Sequence, residues 1–330
     1  MSSRMPTAAE LDEAVRLLEA GELVAFPTET VYGLGADAEN PEAVARIFAA
    51  KGRPSNHPVI VHLVDGADVG YWSDEVPEAA QKLIDAFWPG PLTIILKRAA
   101  HIPAAVAGGQ DSIGLRCPSH PVAQALLSRF RRGRGGIAAP SANKFGQVSP
   151  TTAEHVRDEF GGSVYVLEGD GVDVGIESSI VDLSRLDTAG PVLLRPGAIT
   201  AAMMADVLGT MPLPPDAAAP RASGTLKAHY APRTTLTLAP ADALPQYLHA
   251  LPADGTLAWV GRTPATTDSR CRFVEAPATP DAYAHELYRL LRRLDKEGFQ
   301  RLVFEPVPES LEWDGVRDRL GRAAAAFEDS

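Results

Sequence analysis

Helix and strand patterns alternate throughout this chain, and that alternation restricts the fold to the mixed α/β classes. The segment NPEAVARIFAAKGR predicts a helix that begins at Pro41 with Asn40 as its N-cap, and TTAEHVRDEFG predicts a helix with a capping box between Thr151 and Glu154. Short apolar runs rich in β-branched residues, such as PVIVHLV, lie between the helices and predict buried strands. We therefore expect one α/β domain over residues 1–209.

Residues 210–233, TMPLPPDAAAPRASGTLKAHYAPR, differ from the rest of the chain. They are rich in Pro and Ala, lack an apolar period and are too long for an ordinary connection, which predicts a linker or an active-site lid. Residues 234–330 predict the order β-α-β-α-β-α, with three strands. That order is typical of a small doubly wound, Rossmann-like α/β domain.

The amino-acid composition is typical of a globular protein. The 330 residues are 45% hydrophobic and 22% charged, and no apolar run approaches the ~20 residues of a membrane span. Because only Cys117 and Cys271 are present, we expect neither a disulfide framework nor a four-cysteine metal site. Acidic residues interrupt the apolar stretches of the N-terminal segment, which predicts an amphipathic helix rather than a secretion signal. These features predict a cytoplasmic enzyme that contacts no membrane.

The net charge argues against a protein that binds nucleic acids broadly. It is −11, whereas such binding needs a basic face. The densest cationic run, RFRRGRGG, extends from Arg129 to Gly136. We expect a solvated loop there, with a local contact to RNA or to an anionic ligand as the alternative.

The stretch FPTETVYGLGADA matches a dinucleotide fingerprint only loosely, because the next helix begins several residues too late. No Walker motif occurs either. Gly33 and Gly35 then predict a tight turn. The hydroxyls of Thr28, Thr30 and Tyr32 fall at the carboxyl end of a predicted strand, where open α/β sheets bind ligands. A ligand site is the favoured interpretation, and hydroxyls that cap a turn are the alternative.

Isolated cations follow other predicted strands and helices. Lys51 and Arg53 end a helix, Arg116 interrupts an apolar strand, and Arg195 precedes a turn. A buried arginine needs an internal carboxylate or an anionic ligand, although cations at a helix end are also common for structural reasons. No catalytic triad and no His-based metal motif accompany them. The set indicates a site that binds phosphates and a small polar substrate and works by positioning and electrostatics.

Taken in order, the motifs PTETVYGLG, KGRPSNHPVIVH, PGPLT, GLRCP, PSANKFGQVSPTT, ESSIVDL, LLRPG and HYAP resemble the YrdC/Sua family over nearly the whole chain. The resemblance implies a YrdC-like twisted mixed sheet with flanking helices, followed by the linker and the small domain of the longer, Sua-type members. It implies an ATP-dependent nucleotidyltransferase that makes L-threonylcarbamoyl-adenylate from L-threonine, bicarbonate and ATP and releases pyrophosphate. Mg²⁺ is expected on the phosphates, without an assigned protein ligand.

The resemblance also implies roles for individual residues. Lys51 and Arg53 would face the phosphates as catalytic cations. The implied L-threonine contacts are Thr30, His62, Arg116, Ala139, Ser178 and Ser179, where either serine satisfies the spacing. The implied ATP contacts are Arg53, His57, Ser112, Ser141, Asn143, Ser149, Arg195 and Tyr230, with Tyr230 closing as a lid. His57 stands where the family pattern has Asn, and ESS stands where EST is usual.

The implied partners are the downstream proteins that use the adenylate to modify the adenosine next to the tRNA anticodon, with a weak tRNA contact in addition. Two alternatives remain. One is a non-catalytic RNA-binding module that uses the concave face of the YrdC-like domain. The other is a carbamoyl-transfer enzyme that uses carbamoyl phosphate, although its known members have much longer, Cys-rich chains.

Overall fold

The computed structural model describes residues 5–328, so the predicted domains extend beyond it at residues 1–4 and 329–330. Within the described range, the α-helices are α1 (Ala8–Glu19), α2 (Pro41–Lys51), α3 (Glu78–Phe87), α4 (Pro121–Arg129), α5 (Ala153–Phe160), α6 (Leu186–Ala189), α7 (Ala201–Leu208), α8 (Leu244–His249), α9 (Pro280–Lys296) and α10 (Asp314–Ala325). The strands are β1 (Val24–Pro27), β2 (Tyr32–Asp37), β3 (Val61–His62), β4 (Leu92–Lys97), β5 (Ser112–Arg116), β6 (Ile137–Ala138), β7 (Tyr165–Val166), β8 (Ser179–Asp182), β9 (Val192–Arg195), β10 (Thr235–Leu238), β11 (Leu257–Gly261), β12 (Cys271–Glu275) and β13 (Arg301–Phe304).

The described residues form two compact units. Residues 5–145 and 149–225 make up the first unit, and residues 146–148 and 226–328 make up the second. The predicted linker is thus divided between them, since its part up to Thr225 belongs to the first unit. Within the described range, no helix has the length and apolarity needed to cross a bilayer.

The first unit is built on a nine-stranded mixed sheet with the order β7-β1-β2-β6-β3-β5-β4-β8-β9. The sheet contains parallel pairs, such as β3 with β5, and antiparallel pairs, such as β4 with β5. One core cluster contains Ile47 of α2 and Leu83 of α3, and another contains Leu18 of α1 and Leu126 of α4. The mixed α/β fold predicted from the alternating patterns is therefore confirmed.

The second unit contains a four-stranded parallel sheet with the order β10-β13-β11-β12. Leu257 and Trp259 of β11 are fully buried in its core. The prediction of three strands is wrong here, because β12 was missed. This edge strand pairs only with β11 among the described strands, and charged residues such as Arg272 and Glu275 mask its apolar pattern.

Two local predictions about helix starts had different outcomes. Asn40 caps α2 as predicted, with its side-chain oxygen accepting from the backbone N–H groups of Glu42 and Ala43. The predicted capping box of α5 is wrong by one residue. The N-cap is Thr152, whose hydroxyl accepts from the His155 N–H, and the preceding threonine is fully buried instead.

Gly33 and Gly35 do not form the predicted tight turn, because both lie within strand β2. The turn comes earlier, where the Thr28 N–H donates to the Val31 carbonyl at 3.3 Å. Gly35 is required for close packing instead: a Cβ atom there would lie 2.8 Å from the Phe26 ring and 2.9 Å from the Ile137 side chain.

Replacing Gly35 with alanine should therefore destabilise the protein. We expect Gly35→Ala to lower the free energy of unfolding by about 1–3 kcal/mol, because the new methyl group overpacks the contact between β2 and its neighbours. Urea unfolding measures the change. Gly162→Ala is the matched control, since a Cβ atom at Gly162 meets nothing within 4 Å. Equal stability of the two variants would contradict the packing explanation.

Candidate active site

The turn after β1 places two threonine hydroxyls in a row of consecutive hydrogen bonds. Thr28 Oγ1 donates to the Val31 carbonyl at 2.7 Å and lies 2.8 Å from Thr30 Oγ1. Since Thr28 has used its proton on the carbonyl, Thr30 donates to Thr28. Thr30 Oγ1 in turn accepts from Arg116 Nη1 at 2.9 Å. Thr28 therefore caps the turn, as the alternative interpretation had it, while Thr30 is held beside Arg116.

Arg116, the last residue of β5, has a buried carboxylate as its partner. Its Nη2 lies 2.7 Å from Glu29 Oε1, and both side chains are 4% exposed. Arg116 Nε also donates to the Gly90 carbonyl at 3.3 Å. The predicted need of this arginine for a buried partner is thus met by Glu29. Glu29 was not among the predicted site residues, although it stands within the PTET motif.

His62 lies next to Arg116 in the sheet, because the two residues are register partners in the parallel pair β3 and β5. Its ring contacts Phe26 edge-on, with 6.2 Å between ring centroids. Burial, and then the charge of Arg116, lowers the pKa of His62 to about 3. The imidazole is therefore neutral at physiological pH.

Lys51 ends α2 as a buried side chain. Its Nζ donates to the Ser141 carbonyl at 2.5 Å and to the Asn143 carbonyl at 2.6 Å. Burial, and then the nearby Arg53, holds the pKa of Lys51 well below its usual range. Arg53 itself donates from Nη2 to the Pro58 carbonyl at 3.0 Å and to Ser223 Oγ at 3.1 Å. The loop of Ser141 and Asn143 is thereby tied to Lys51, whereas Arg53 holds Pro58 and Ser223.

Ser178 and Ser179, which spacing alone could not distinguish, differ in their contacts. Ser178 Oγ lies 2.8 Å from Thr93 Oγ1 and accepts from Arg195 Nη2 at 3.2 Å. Ser179 Oγ donates to the Ile199 carbonyl at 2.6 Å. Ser178 thus joins two polar side chains, whereas Ser179 stabilises the backbone.

Ser149 contacts a second carboxylate that was not among the predicted site residues. Its Oγ donates to Glu177 Oε1 at 2.5 Å, and both side chains are buried. Glu177 directly precedes Ser178 in the ESS motif, which was the available signal. The structure thus brings Ser149 close to the residues around Ser178.

The first part of the predicted linker lies over Ser112. Ala222 is buried in a cluster with Ile95 and Ile180, and Arg195 Nη1 donates to the Ser223 carbonyl at 2.8 Å. A cavity of about 20 Å³ remains between these linker residues and Ser112, enough for roughly one water molecule. Sequence composition carried no signal for these contacts.

The other predicted residues have distinct surroundings. Ala139 is buried, and its N–H donates to the Ile60 carbonyl at 3.0 Å. The His57 ring meets Phe145 edge-on at 5.6 Å, and burial, followed by the charges of Arg53 and Arg221, lowers the pKa of His57.

Tyr230 belongs to the second unit and is buried there, with its backbone at φ +61°. Its ring centroid is 5.7 Å from that of Tyr288, and the Arg319 guanidinium lies over it at 5.4 Å. Its role as a lid stays a prediction.

The cationic run RFRRGRGG is anchored within the first unit rather than fully solvated. Arg131 Nη2 lies 2.5 Å from the buried Asp37 carboxylate, and Nη1 lies 3.7 Å from Glu39. Arg131 and Arg132 adopt left-handed backbone conformations, with φ of 47° and 58°. The two carboxylates offset part of the positive charge of the loop.

Comparison with known proteins assigns most of the chain to two family models. Residues 16–197 match the Sua5/YciO/YrdC model, which is described as "Telomere recombination". Residues 199–325 match the Sua5 C-terminal model, which is described as "Threonylcarbamoyl-AMP synthase, C-terminal domain". The chain belongs to the Sua5/YciO/YrdC family.

Similar proteins cover nearly the full length of this chain. The threonylcarbamoyl-AMP synthase of Pyrococcus abyssi is 35% identical, over 94% of this chain and 93% of the relative. That of Bacillus subtilis is 36% identical, over 96% of this chain and 93% of the relative. The crystal structure of P. abyssi Sua5 complexed with L-threonine matches with a TM-score of 0.86 at 33% identity, covering 97% of this chain and 96% of that one. The resemblance drawn from the ordered motifs is confirmed.

The lowered pKa of His62 predicts a dependence of stability on pH. Between pH 6.5 and about 3, the unfolded state binds a proton at His62 that the native state does not. The free energy of unfolding should therefore decrease as the pH is lowered through this window, by up to about 1.4 kcal/mol per pH unit from this group. Urea unfolding at pH 6.5 and 5 should show a shallower fall for His62→Gln than for the wild type. His101→Gln, at an exposed histidine, should match the wild type. Parallel slopes for wild type and His62→Gln would refute the assignment.

Proposed function

We propose that this chain makes L-threonylcarbamoyl-adenylate from L-threonine, bicarbonate and ATP, with release of pyrophosphate. The observation that carries the proposal is the buried Arg116, held between Thr30 and Glu29 at the end of β5. Such an arginine suits the carboxylate of a small substrate. The threonylcarbamoyl-AMP synthases that align over more than nine-tenths of this chain supply the substrate class.

The amino-acid end of the site is assigned to the residues around Arg116. Arg116 would bind the threonine carboxylate, and Thr30 and the neutral His62 would contact the rest of the substrate. Ala139 would contact the substrate through its backbone and its small side chain. Ser178 is preferred over Ser179 as the serine contact, because the Ser179 hydroxyl donates to the Ile199 carbonyl.

The nucleotide end is assigned to the remaining predicted residues. Lys51, Arg53 and Arg195 would neutralise phosphate charge, with further ATP contacts from His57, Ser112, Ser141, Asn143, Ser149 and Tyr230. The described residues contain no group of three or more His, Cys, Asp or Glu side chains that could hold a metal. The Glu177 carboxylate beside Ser149 is one oxygen ligand that suits a Mg²⁺ ion held mainly by the phosphates. Such an ion would offset phosphate charge.

The chemistry needs positioning more than a nucleophilic side chain. The threonine amine and bicarbonate combine to a carbamate and water. A carbamate oxygen then attacks the α-phosphorus of ATP, the new P–O bond forms, and the bond to the leaving pyrophosphate breaks. Fixed cations near the phosphates stabilise the charge that develops during this displacement.

The adenylate would pass to downstream proteins of tRNA threonylcarbamoyladenosine modification in the cytoplasm, with a weak tRNA contact as a further proposal.

Removing the Arg116 side chain tests the proposal. We expect wild-type protein to release pyrophosphate from ATP and bicarbonate only when L-threonine is present. Arg116→Ala should reduce kcat/KM for threonine by about 100-fold or more, because a charge-assisted, two-pronged contact is lost. Arg134→Ala, which removes an exposed arginine outside the site, is the matched control and should behave as the wild type. Release that is indifferent to threonine, in folded protein, would contradict the proposed function.

A further inference from the structure

Glu29 is a buried carboxylate with unused hydrogen-bonding capacity. Its side chain is 4% exposed, and Oε1 lies 2.7 Å from Arg116 Nη2. Neither carboxylate oxygen accepts a hydrogen bond from any residue between 5 and 328. An ionised carboxylate offers about four lone-pair sites, so the ion contact alone leaves this group incompletely satisfied. Such a group is costly in the protein interior unless a ligand completes its bonding.

The surroundings of Glu29 define what kind of ligand that is. Arg116 supplies a positive charge directly beside the negative one, and Thr30 Oγ1 accepts from the same guanidinium. His120 and Cys117 are close enough to interact electrostatically with Glu29, and burial lowers the pKa of His120 and raises that of Cys117 to about 12. Both groups are thus neutral near pH 7. The site therefore presents one adjacent pair of opposite charges.

A zwitterion complements that pair. The carboxylate and the ammonium of an α-amino acid are attached to the same carbon, so a carboxylate bound at Arg116 brings the ammonium next to Glu29. We propose that Glu29 binds the α-ammonium group of L-threonine and accepts its proton before the carbamate forms. This inference rests on the proposed function, because it assigns a further residue to the same reaction.

The proton transfer follows from the chemistry of carbamate formation. An ammonium group has no lone pair, so it cannot form a bond to carbon. Transfer of one proton to the Glu29 carboxylate leaves a neutral amine, which has the lone pair that the reaction needs, and a neutral carboxylic acid. The amine and bicarbonate then give the carbamate and water, with atoms and charge balanced. The proton on Glu29 returns to solvent before the next turnover.

Other buried groups of the first unit are less suited to this role. His62 is neutral and carries no negative charge to attract an ammonium. Glu177 accepts a hydrogen bond from the hydroxyl of Ser149, a residue assigned to ATP binding. Lys51 donates to two backbone carbonyls. Glu29 is the carboxylate in ion contact with the arginine assigned to the threonine carboxylate.

A ligand that lacks only the amino group provides the test. L-Threonine and (R)-3-hydroxybutanoate share the carboxylate, the hydroxyl and the methyl group, and their dissociation constants can be measured on the full chain by NMR titration. We expect Glu29→Gln to weaken L-threonine binding by about 10- to 100-fold and to leave (R)-3-hydroxybutanoate within about 3-fold. At saturating threonine, the variant should remain slower in pyrophosphate release, and Glu29→Asp should recover part of the rate.

The outcomes separate binding of the ammonium from support of Arg116. Equal weakening of both ligands would mean that Glu29 only positions Arg116, and unchanged binding of both would mean that it has no role; either result overturns the inference. Asp37→Asn, at a buried carboxylate paired with Arg131, controls for lost stability and should leave the ratio of the two affinities unchanged. Threonine-dependent pyrophosphate release by the wild type tests the proposed function separately.

Discussion

The ion pair of Arg116 and Glu29 is the interaction on which the amino-acid end of the site depends. Two charges are withdrawn from water there, and their mutual attraction offsets that cost only when the remaining hydrogen bonds are supplied. Thr30 and the Gly90 carbonyl supply two of those bonds to the arginine. Strands β2, β6 and β3 separate β1 from β5 in the sheet, so the contact depends on the conformation of the turn after β1. The glycine packing of β2 therefore bears on the site as well as on the core.

The sequence was most informative where the determinants are local. Asn40 as the N-cap of α2 depends on neighbours in the chain, and Arg116 within an apolar strand already required a buried partner. The identity of that partner depends on tertiary structure, since Glu29 and Arg116 meet only when β1 and β5 join one sheet. The tight turn predicted at Gly35 was wrong for the same reason: Phe26 and Ile137 both lie so close to Gly35 that they exclude a side chain there, and no local pattern records this.

The linker shows what composition leaves out. Pro and Ala predict an irregular connection, and residues 210–233 contain no helix or strand. Composition does not show that Ala222 is buried among aliphatic residues or that Ser223 bonds to both Arg53 and Arg195. These bonds bring part of the linker to two of the cations proposed to bind phosphates. The missed strand β12 is the opposite case, because charges at the edge of a sheet concealed a regular element.

Incorporation of labelled bicarbonate into a nucleotide tests the central claim most directly. The protein would be incubated with ATP, L-threonine and [¹³C]bicarbonate, and the nucleotides analysed by mass spectrometry. We expect a new species with the mass of AMP plus a threonylcarbamoyl group. It should be one mass unit heavier with the label and absent when threonine is omitted. Turnover of ATP without any labelled, threonine-containing nucleotide would contradict it.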